Sequence, residues 1–430
     1  MKKLSIIFGI VFFITNSFSS EDLLSQIDMT KVSKISDGPH IPYKSNPNLE
    51  TLKYYLYLYN SALPTKGSSY IVKPSAEPYK FKSKLSEFKF LDKEMKKKGI
   101  VSYLFFDKDH IVVDKISPKE RLGNFLDNET FLRSNSVGKT MVSYVLGHAI
   151  CEGYIDGVDA KINDWHIVKD TLYENHKLID LLNMTSGDQK YIYDSNLLKD
   201  GKPTRDEGYN VDNWTLDFYT DFFKDKKSAK KKYNYNVINT NLIFNYVKFK
   251  SKDDFQKILD LTFQKKSKIK KEVFFPIKSN ADHGIVAISN EENKNFLKAD
   301  PMFYATRYDY LRIAKAILDD YQNNTCVGKY LREIYKRKIP KNINHDGLKS
   351  EPRFNRTLSY GGQFHLDYPG LKNKTVFGMG GFAGQAILID MENSRIVVVN
   401  SIHYNNDNYK YNHKKLLIDP IKYGKKAFDK

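Results

Sequence analysis

The sequence has little of two things that often reveal function, cysteine and clustered metal ligands. Only two cysteines, Cys151 and Cys326, occur in 430 residues, and no Cys/His spacing is typical of a metal site. The ten histidines are scattered, with no pair at helical ligand spacing in an apolar setting. The sequence therefore predicts no metal site. Each cysteine follows a predicted helix, and we expect two separate, largely buried thiols, since a pairing needs geometry that the sequence does not give.

Long hydrophobic runs are also absent, except at the start of the chain. A basic Lys2-Lys3 pair precedes an apolar run at residues 4–14, and small residues follow it. This pattern predicts a secretory signal peptide over residues 1–19. The run is too short for a stable span, and no later run is long enough to cross a bilayer. We therefore expect a soluble protein that is periplasmic or secreted.

The charge is strongly one-sided, with 69 basic and 51 acidic residues and a net charge of +18. Such a charge can attract nucleic acid or an anionic surface. The lysines are, however, spread throughout the chain in runs typical of solvated faces. We therefore expect no nucleic-acid partner.

Apolar patterns near both ends of the main body predict antiparallel strands. Runs at 100–106 and 111–114 predict one hairpin, and runs at 385–390 and 395–400 predict another. Residues 360–366 are predicted as a single strand. Helical patterns fill most of the chain between these segments, which favours an α+β fold with one sheet built from both chain ends.

This fold class implies a division of the chain. We expect an N-terminal extension over residues 20–90 and a main domain over 91–430, with a mainly helical inserted lobe at about 150–300. The sequence gives no internal repeat and does not indicate an oligomeric state.

One stretch carries a chemical signal. Ser136 lies three residues before Lys139, at the start of a strongly apolar helical pattern. On one helix face, a lysine amine can take the proton of a serine hydroxyl and so activate it as a nucleophile. Ser134 and Ser136 are both plausible helix caps. The same spacing recurs in charged stretches, so the pattern alone leaves catalysis and coincidence equally open; those stretches begin at Ser86, Ser228 and Ser267.

The order of motifs resembles the serine β-lactamase and penicillin-binding-protein superfamily over about residues 90–425. The resemblance is to the class C β-lactamase-related branch, which includes esterases, D-aminopeptidases and 6-aminohexanoate-dimer hydrolases. Ser136 and Lys139 resemble its Ser-x-x-Lys motif. Residues 181–187 (LLNMTSG), 305–312 (ATRYDYLR) and 378–385 (GMGGFAGQ) resemble three further family stretches.

The family's second motif is a tyrosine followed two residues later by a polar residue. Here the resemblance selects Tyr235, with Val237 where a polar side chain is usual, and Tyr233 is the fallback. The phenol would share proton transfer with Lys139.

The third motif implies substrate-binding roles for Met379, Gly380 and Gly381. A cation is common where Met379 stands, and its absence argues against β-lactam and D-Ala-D-Ala chemistry; esterase-like members also lack it. The N–H groups of Ser136 and Phe382 would form the oxyanion hole.

The resemblance therefore implies an exported serine hydrolase with a β-lactamase-like fold. It would cleave a small-molecule or peptide-like amide or ester through an acyl-enzyme on Ser136, without a cofactor. Two alternatives stay open: a penicillin-binding D-Ala carboxypeptidase or β-lactamase, and an inactive homologue that binds an envelope partner.

Overall fold

A computed structural model describes most of the chain outside the N-terminal segment. The expected signal peptide at residues 1–19 lies outside the described residues. The described residues are 20–32, 46–61, 69–188, 198–199, 202–203, 223–229, 231–278, 298–299, 303–341, 357–403 and 410–428.

Helices occur along the whole described chain, and short 3₁₀ or π turns extend several of them. Within that part, none of the helices is long and apolar enough to span a membrane. The helices are α1 (Ser20–Ser25), α2 (Leu49–Ser61), α3 (Lys89–Lys97), α4 (Lys119–Leu122), α5 (Val137–Cys151), α6 (Leu178–Leu182), α7 (Ile238–Ser251), α8 (Phe255–Leu259), α9 (Arg307–Gln322), α10 (Cys326–Lys336) and α11 (Asp419–Tyr423).

The strands fall into two larger sheets and one short hairpin. They are β1 (Ser69–Val72), β2 (Lys82–Ser83), β3 (Ile100–Asp107), β4 (His110–Ile116), β5 (Leu132–Arg133), β6 (Leu198–Lys199), β7 (Lys202–Pro203), β8 (Val273–Lys278), β9 (Lys298–Ala299), β10 (Tyr304–Ala305), β11 (Ile339–Pro340), β12 (Ser359–Gly361), β13 (Phe364–Leu366), β14 (Val376–Gly381), β15 (Gln385–Asp390) and β16 (Arg395–Ser401).

The main sheet joins the two ends of the chain, as the sequence predicts. Its strand order is β11-β12-β13-β14-β15-β16-β3-β4-β2. The last strand of the chain, β16, pairs antiparallel with β3, and Val397 stands opposite Phe105. The α+β class and both predicted hairpins are therefore confirmed.

Both faces of this sheet are buried, which explains the continuous apolar runs of its strands. In β16, Ile396 and Val398 face the core that contains α5 and α9, whereas Val397 and Val399 face a second core. The second core is closed by α3 and by the C-terminal helical segment. The sheet is thus the middle layer of three.

A smaller sheet, which the sequence did not predict, has the order β1-β8-β10-β5, with β9 beside β8. It connects the N-terminal region to the inserted lobe, because β1 pairs with β8 from Ser69 to Val72. Leu52, Tyr55 and Leu56 of α2 are also buried in the main core. The domain boundaries remain predictions.

The segment predicted as one strand at 360–366 is a tight hairpin, β12 and β13. Gly362 and Gln363 form its turn and both have positive φ, 60° and 69°. Two successive left-handed residues give the turn twist that suits a two-residue hairpin. The sequence did not predict this turn, because glutamine is less typical of a two-residue hairpin turn than asparagine or aspartate.

The prediction of two separate thiols is wrong, because Cys151 and Cys326 form a disulfide with their Cα atoms 5.8 Å apart. Cys151 ends α5 and Cys326 begins α10. These helices pack together, and Ser143 and Tyr330 share a hydrogen bond of 2.8 Å across them. Tertiary packing brings together two residues that are 175 positions apart.

Candidate active site

Ser136 lies in a tight connection between β5 and α5. Asn135 before it adopts a left-handed conformation, with φ of 48°, which asparagine tolerates better than most residues. Ser134 fixes the connection, because its hydroxyl accepts a 2.7 Å hydrogen bond from the Phe303 N–H. Ser136 occupies the cap position, but its hydroxyl accepts no hydrogen bond from a backbone N–H of the helix.

The Ser136 hydroxyl is instead held by Lys139. The lysine Nζ lies 3.1 Å from Ser136 Oγ, since the two residues share one face of the first helical turn. Lys139 is only 3% exposed, whereas Ser136 is half-buried and so open to an incoming group. The predicted nucleophile and base are therefore brought together.

Tyr235 completes this group from the segment that leads into α7. The Lys139 Nζ lies 5.1 Å from the centre of the Tyr235 ring, and Tyr235 is half-buried. Tyr233 lies deeper, at 4% exposure, and packs against Tyr360 with ring centroids 5.2 Å apart. The structure thus places the Tyr235 ring beside the lysine.

The third motif forms the end of β14. Asn135 donates a 2.7 Å hydrogen bond through Nδ2 to the Phe382 carbonyl, which ties this strand end to the residue before Ser136. Gly381 packs so closely that a Cβ there would lie 2.6 Å from the Ser134 carbonyl oxygen. Gly380 is half-buried, and Met379 is fully buried in the main core. The strand edge and the nucleophile loop are therefore in direct contact.

The LLNMTSG stretch is hydrogen-bonded to the β12–β13 turn next to the site. It ends α6, and Leu182 accepts a backbone hydrogen bond from Gln363. Gln363 also accepts the Thr140 hydroxyl on its carbonyl at 3.0 Å and the Thr240 hydroxyl on Oε1 at 2.8 Å. One residue of the β12–β13 turn thus links α5, α6 and α7.

The ATRYDYLR stretch is a structural cap. The Thr306 hydroxyl caps α9 by accepting the Asp309 N–H. Asp309 is fully buried and also accepts a 2.8 Å hydrogen bond from Arg312 and a 2.7 Å bond from the Lys270 N–H. The Thr306 hydroxyl satisfies an otherwise unpaired amide at the helix start, so the motif stabilises α9.

Sequence reasoning missed a buried pair of basic residues, of which His365 lies against Tyr235. The His365 ring stacks on Tyr235 with centroids 6.2 Å apart, and the Lys341 Nζ lies 2.8 Å from His365 Nδ1 and 2.7 Å from the Thr357 hydroxyl. Burial, with the charges of Lys341 and Lys139, holds the pKa of His365 well below its usual value. A neutral imidazole therefore accepts from Lys341. No local sequence pattern marks either residue, because β11 and β13 bring them together.

The described residues include no group of three or more His, Cys, Asp or Glu side chains that could hold a metal ion. The chemistry available at Ser136 is that of a hydroxyl, an amine and a phenol at a glycine-rich strand edge. This combination suits acyl transfer.

No protein-family model matches the sequence, and no curated protein matches it either. Solved structures do match its fold. A Bacillus anthracis protein described as a candidate 6-aminohexanoate-dimer hydrolase has a TM-score of 0.57 at 14% identity, over 88% of this chain and 94% of that one. A family VIII carboxylesterase has a TM-score of 0.54 at 13% identity, over 80% of this chain and 99% of that one.

A third match is the octameric penicillin-binding protein homologue from Pyrococcus abyssi, with a TM-score of 0.50 at 14% identity. The match covers 77% of this chain and 74% of that one. At such identities the likeness establishes the fold. The chain therefore has the fold of the serine β-lactamase and penicillin-binding-protein superfamily, the family that its motifs resemble.

Proposed function

We propose that this protein is a serine hydrolase that cleaves an ester or amide bond through an acyl-enzyme on Ser136. The contact of 3.1 Å between Lys139 Nζ and Ser136 Oγ carries the proposal. Such a pair, buried on the base side and open on the nucleophile side, is the arrangement that nucleophilic catalysis requires.

The reaction would proceed in two steps. Lys139 takes the proton from Ser136 Oγ, which attacks the substrate carbonyl carbon. The N–H groups of Ser136 and Phe382 stabilise the oxyanion of the tetrahedral intermediate. Tyr235 relays the proton that Lys139 accepted to the leaving group, so that the base is neutral again. Water then attacks the acyl carbon, its hydroxyl stays on the released acid, and its other proton returns to Ser136 Oγ.

The buried position of Met379 favours esterase or amidase chemistry over a β-lactamase or D-Ala carboxypeptidase. Its side chain is fully enclosed in the core, so this position offers no cation to a substrate carboxylate. A neutral ester or amide needs no such partner.

A labelled fluorophosphonate tests the proposal directly. We expect one adduct on the peptide that contains Ser136, and we expect Ser136→Ala to abolish both the adduct and hydrolysis of p-nitrophenyl esters. Ser86→Ala is the matched control, because Ser86 also precedes a lysine by three residues but lies in a charged stretch. The absence of any adduct on the folded protein, together with unchanged turnover by Ser136→Ala, would refute the assignment.

We also propose that the protein is exported. The basic and apolar start of the sequence supports this, and so does the Cys151–Cys326 disulfide, since disulfides persist mainly in oxidising compartments. N-terminal sequencing of the protein recovered from the periplasm or medium should show that the first residues, about 19 of them, have been removed. An intact Met1 in the cytoplasmic fraction alone would contradict export.

A further inference from the structure

A fully buried carboxylate lies directly behind the segment that carries Tyr235. Asp188 is 1% exposed and follows the LLNMTSG stretch. Three side chains of the described part donate hydrogen bonds to it. Tyr173 donates to Oδ2 at 2.8 Å, Asn236 donates to Oδ2 at 3.2 Å, and Asn234 donates to Oδ1 at 3.4 Å.

The two asparagines flank Tyr235 on either side. Both of their side chains reach Asp188, whereas the ring between them contacts Lys139 and His365. One carboxylate therefore holds the residues before and after the tyrosine, so that the phenol ring is directed away from Asp188 and toward the nucleophile.

The backbone of the same segment is fixed by the loop before Asp188. The Asn234 N–H donates to the Met184 carbonyl at 2.8 Å, and the Asn236 N–H lies 3.2 Å from the Met184 sulfur. Both polar atoms of the Asn236 side chain are hydrogen-bonded: Nδ2 donates to Asp188, and Oδ1 accepts the Asn239 N–H at 3.1 Å in the first turn of α7. The segment is thus held by side chains and backbone together.

Burying a carboxylate is costly unless hydrogen bonds compensate it. Burial raises the pKa of Asp188, although Tyr173, Ser186 and Asn234 act in the opposite direction. An asparagine or leucine would avoid this cost. The carboxylate has one property that they lack, which is that both oxygens accept without donating.

We propose that Asp188 is a positioning residue for Tyr235, which it holds beside Lys139 by accepting hydrogen bonds from Asn234 and Asn236. This inference rests on the proposed function, in which Tyr235 transfers a proton to the leaving group. Asp188 itself contacts neither Ser136 nor Lys139 among the hydrogen bonds of the described residues, and it acts only through the tyrosine segment.

Asp188→Asn tests the proposal, because it keeps the size of the side chain and replaces one acceptor oxygen with a donor. We expect kcat for an alkyl ester or anilide to fall roughly 10- to 100-fold, since a small displacement of a catalytic group has effects of this size. KM should change little. Asp180→Asn is the matched control. Asp180 pairs with Lys231 at 2.5 Å, and among the hydrogen bonds of the described residues its side chain has none with the two asparagines. The kcat of this variant should stay unchanged.

A double-mutant cycle separates positioning from general destabilisation. If Asp188 acts through Tyr235, then Asp188→Asn should cost little further rate in a Tyr235→Phe background. An unchanged kcat in Asp188→Asn, or an equal loss in both backgrounds, would overturn the inference. Asn234→Ala serves as the second variant if Asp188→Asn does not fold, and the same cycle should show the same non-additivity.

The labelling of Ser136 distinguishes the two proposals. Should the wild-type protein fail to react with fluorophosphonate, the proposed function itself fails. If fluorophosphonate labels both the wild-type protein and Asp188→Asn, but the rate losses of Asp188→Asn and Tyr235→Phe simply add, then only the positioning role fails.

Discussion

Tyr235 and Tyr233 are two residues apart, and the centre of the Tyr235 ring lies 5.1 Å from Lys139 Nζ. We expect Tyr235→Phe to lower kcat for unactivated esters roughly 100-fold or more, because the ring contacts remain while the proton donor is lost. Tyr233→Phe is the control, since its ring packs against Tyr360. It should keep nearly full activity.

Comparison of the two variants also tests the choice of second-motif tyrosine. Steady-state rates on an alkyl ester, with thermal melts of both proteins, are sufficient. A larger loss in Tyr233→Phe at equal stability would transfer the catalytic role to that residue.

The same residues show what a sequence can reveal at this scale. Ser136 and Lys139 could be predicted because they are three positions apart on one helix, so their proximity is a local property. Lys341 and His365 could not, since they meet only when strands β11 to β13 pair. Asp188 directly follows the LLNMTSG motif, but its contacts could not be predicted, because Asn234 and Asn236 lie more than forty residues away in the sequence.

At the scale of elements, the end of β14 is positioned by contact with the nucleophile loop. An alanine Cβ at Gly381 would lie 2.6 Å from the Ser134 carbonyl oxygen and 2.9 Å from the Gln385 Cβ. Backbone must therefore shift. We expect Gly381→Ala to lower kcat at least about tenfold, because the Phe382 N–H would leave the position that the proposed mechanism assigns to it in the oxyanion hole.

Gly378→Ala, on the same strand, provides the comparison. Its Cβ would meet the Tyr368 side chain instead of the nucleophile loop, so it should lower the melting temperature while Ser136 still reacts with fluorophosphonate at low temperature. Equal rates for Gly381→Ala and the wild-type protein would show that this strand end does not shape the site.

The disulfide joins the end of α5 to the start of α10 and closes a loop of 175 residues. Loop-closure entropy gives an upper stabilisation of about 5 kcal/mol for a loop of this length. We expect the Cys151→Ala/Cys326→Ala variant to melt at a lower temperature, with Ser136 labelling retained below the transition. Denatured but unreduced wild-type protein should react with no thiol reagent, and reaction at two thiols would contradict the pairing.

At the scale of the whole molecule, continuous apolar runs predicted the main sheet because its strands are apolar on both faces and its hairpins are local. The smaller sheet escaped prediction, since β5 and β10 have only two residues each and β1 pairs with β8 about two hundred positions later. Short strands with distant partners leave no periodic pattern. The three-layer arrangement, in contrast, follows once both faces of β3 and β16 are known to be apolar.

This layered core encloses two histidines that must stay neutral, and acid should therefore destabilise the fold. Burial lowers the pKa of His148 from the ordinary 6.5 to about 4, and that of His365 is also lowered. Because the unfolded chain binds these protons first, stability is complete above pH 6.5 and is lost as the pH falls toward the folded-state values.

For His148 alone, the free energy of unfolding should decrease by about 2 kcal/mol between pH 7 and pH 5. Salt-bridged carboxylates titrate in a lower window, as for Asp159, whose pKa is lowered to about 2 by Arg337 and Lys177. Urea unfolding at pH 7, 6 and 5 measures the effect. His148→Gln cannot take up the proton, so the decrease in its free energy of unfolding between pH 7 and pH 5 should be smaller than that of the wild-type protein by about 2 kcal/mol. An equal decrease in the two proteins would mean that His148 is not the group that titrates.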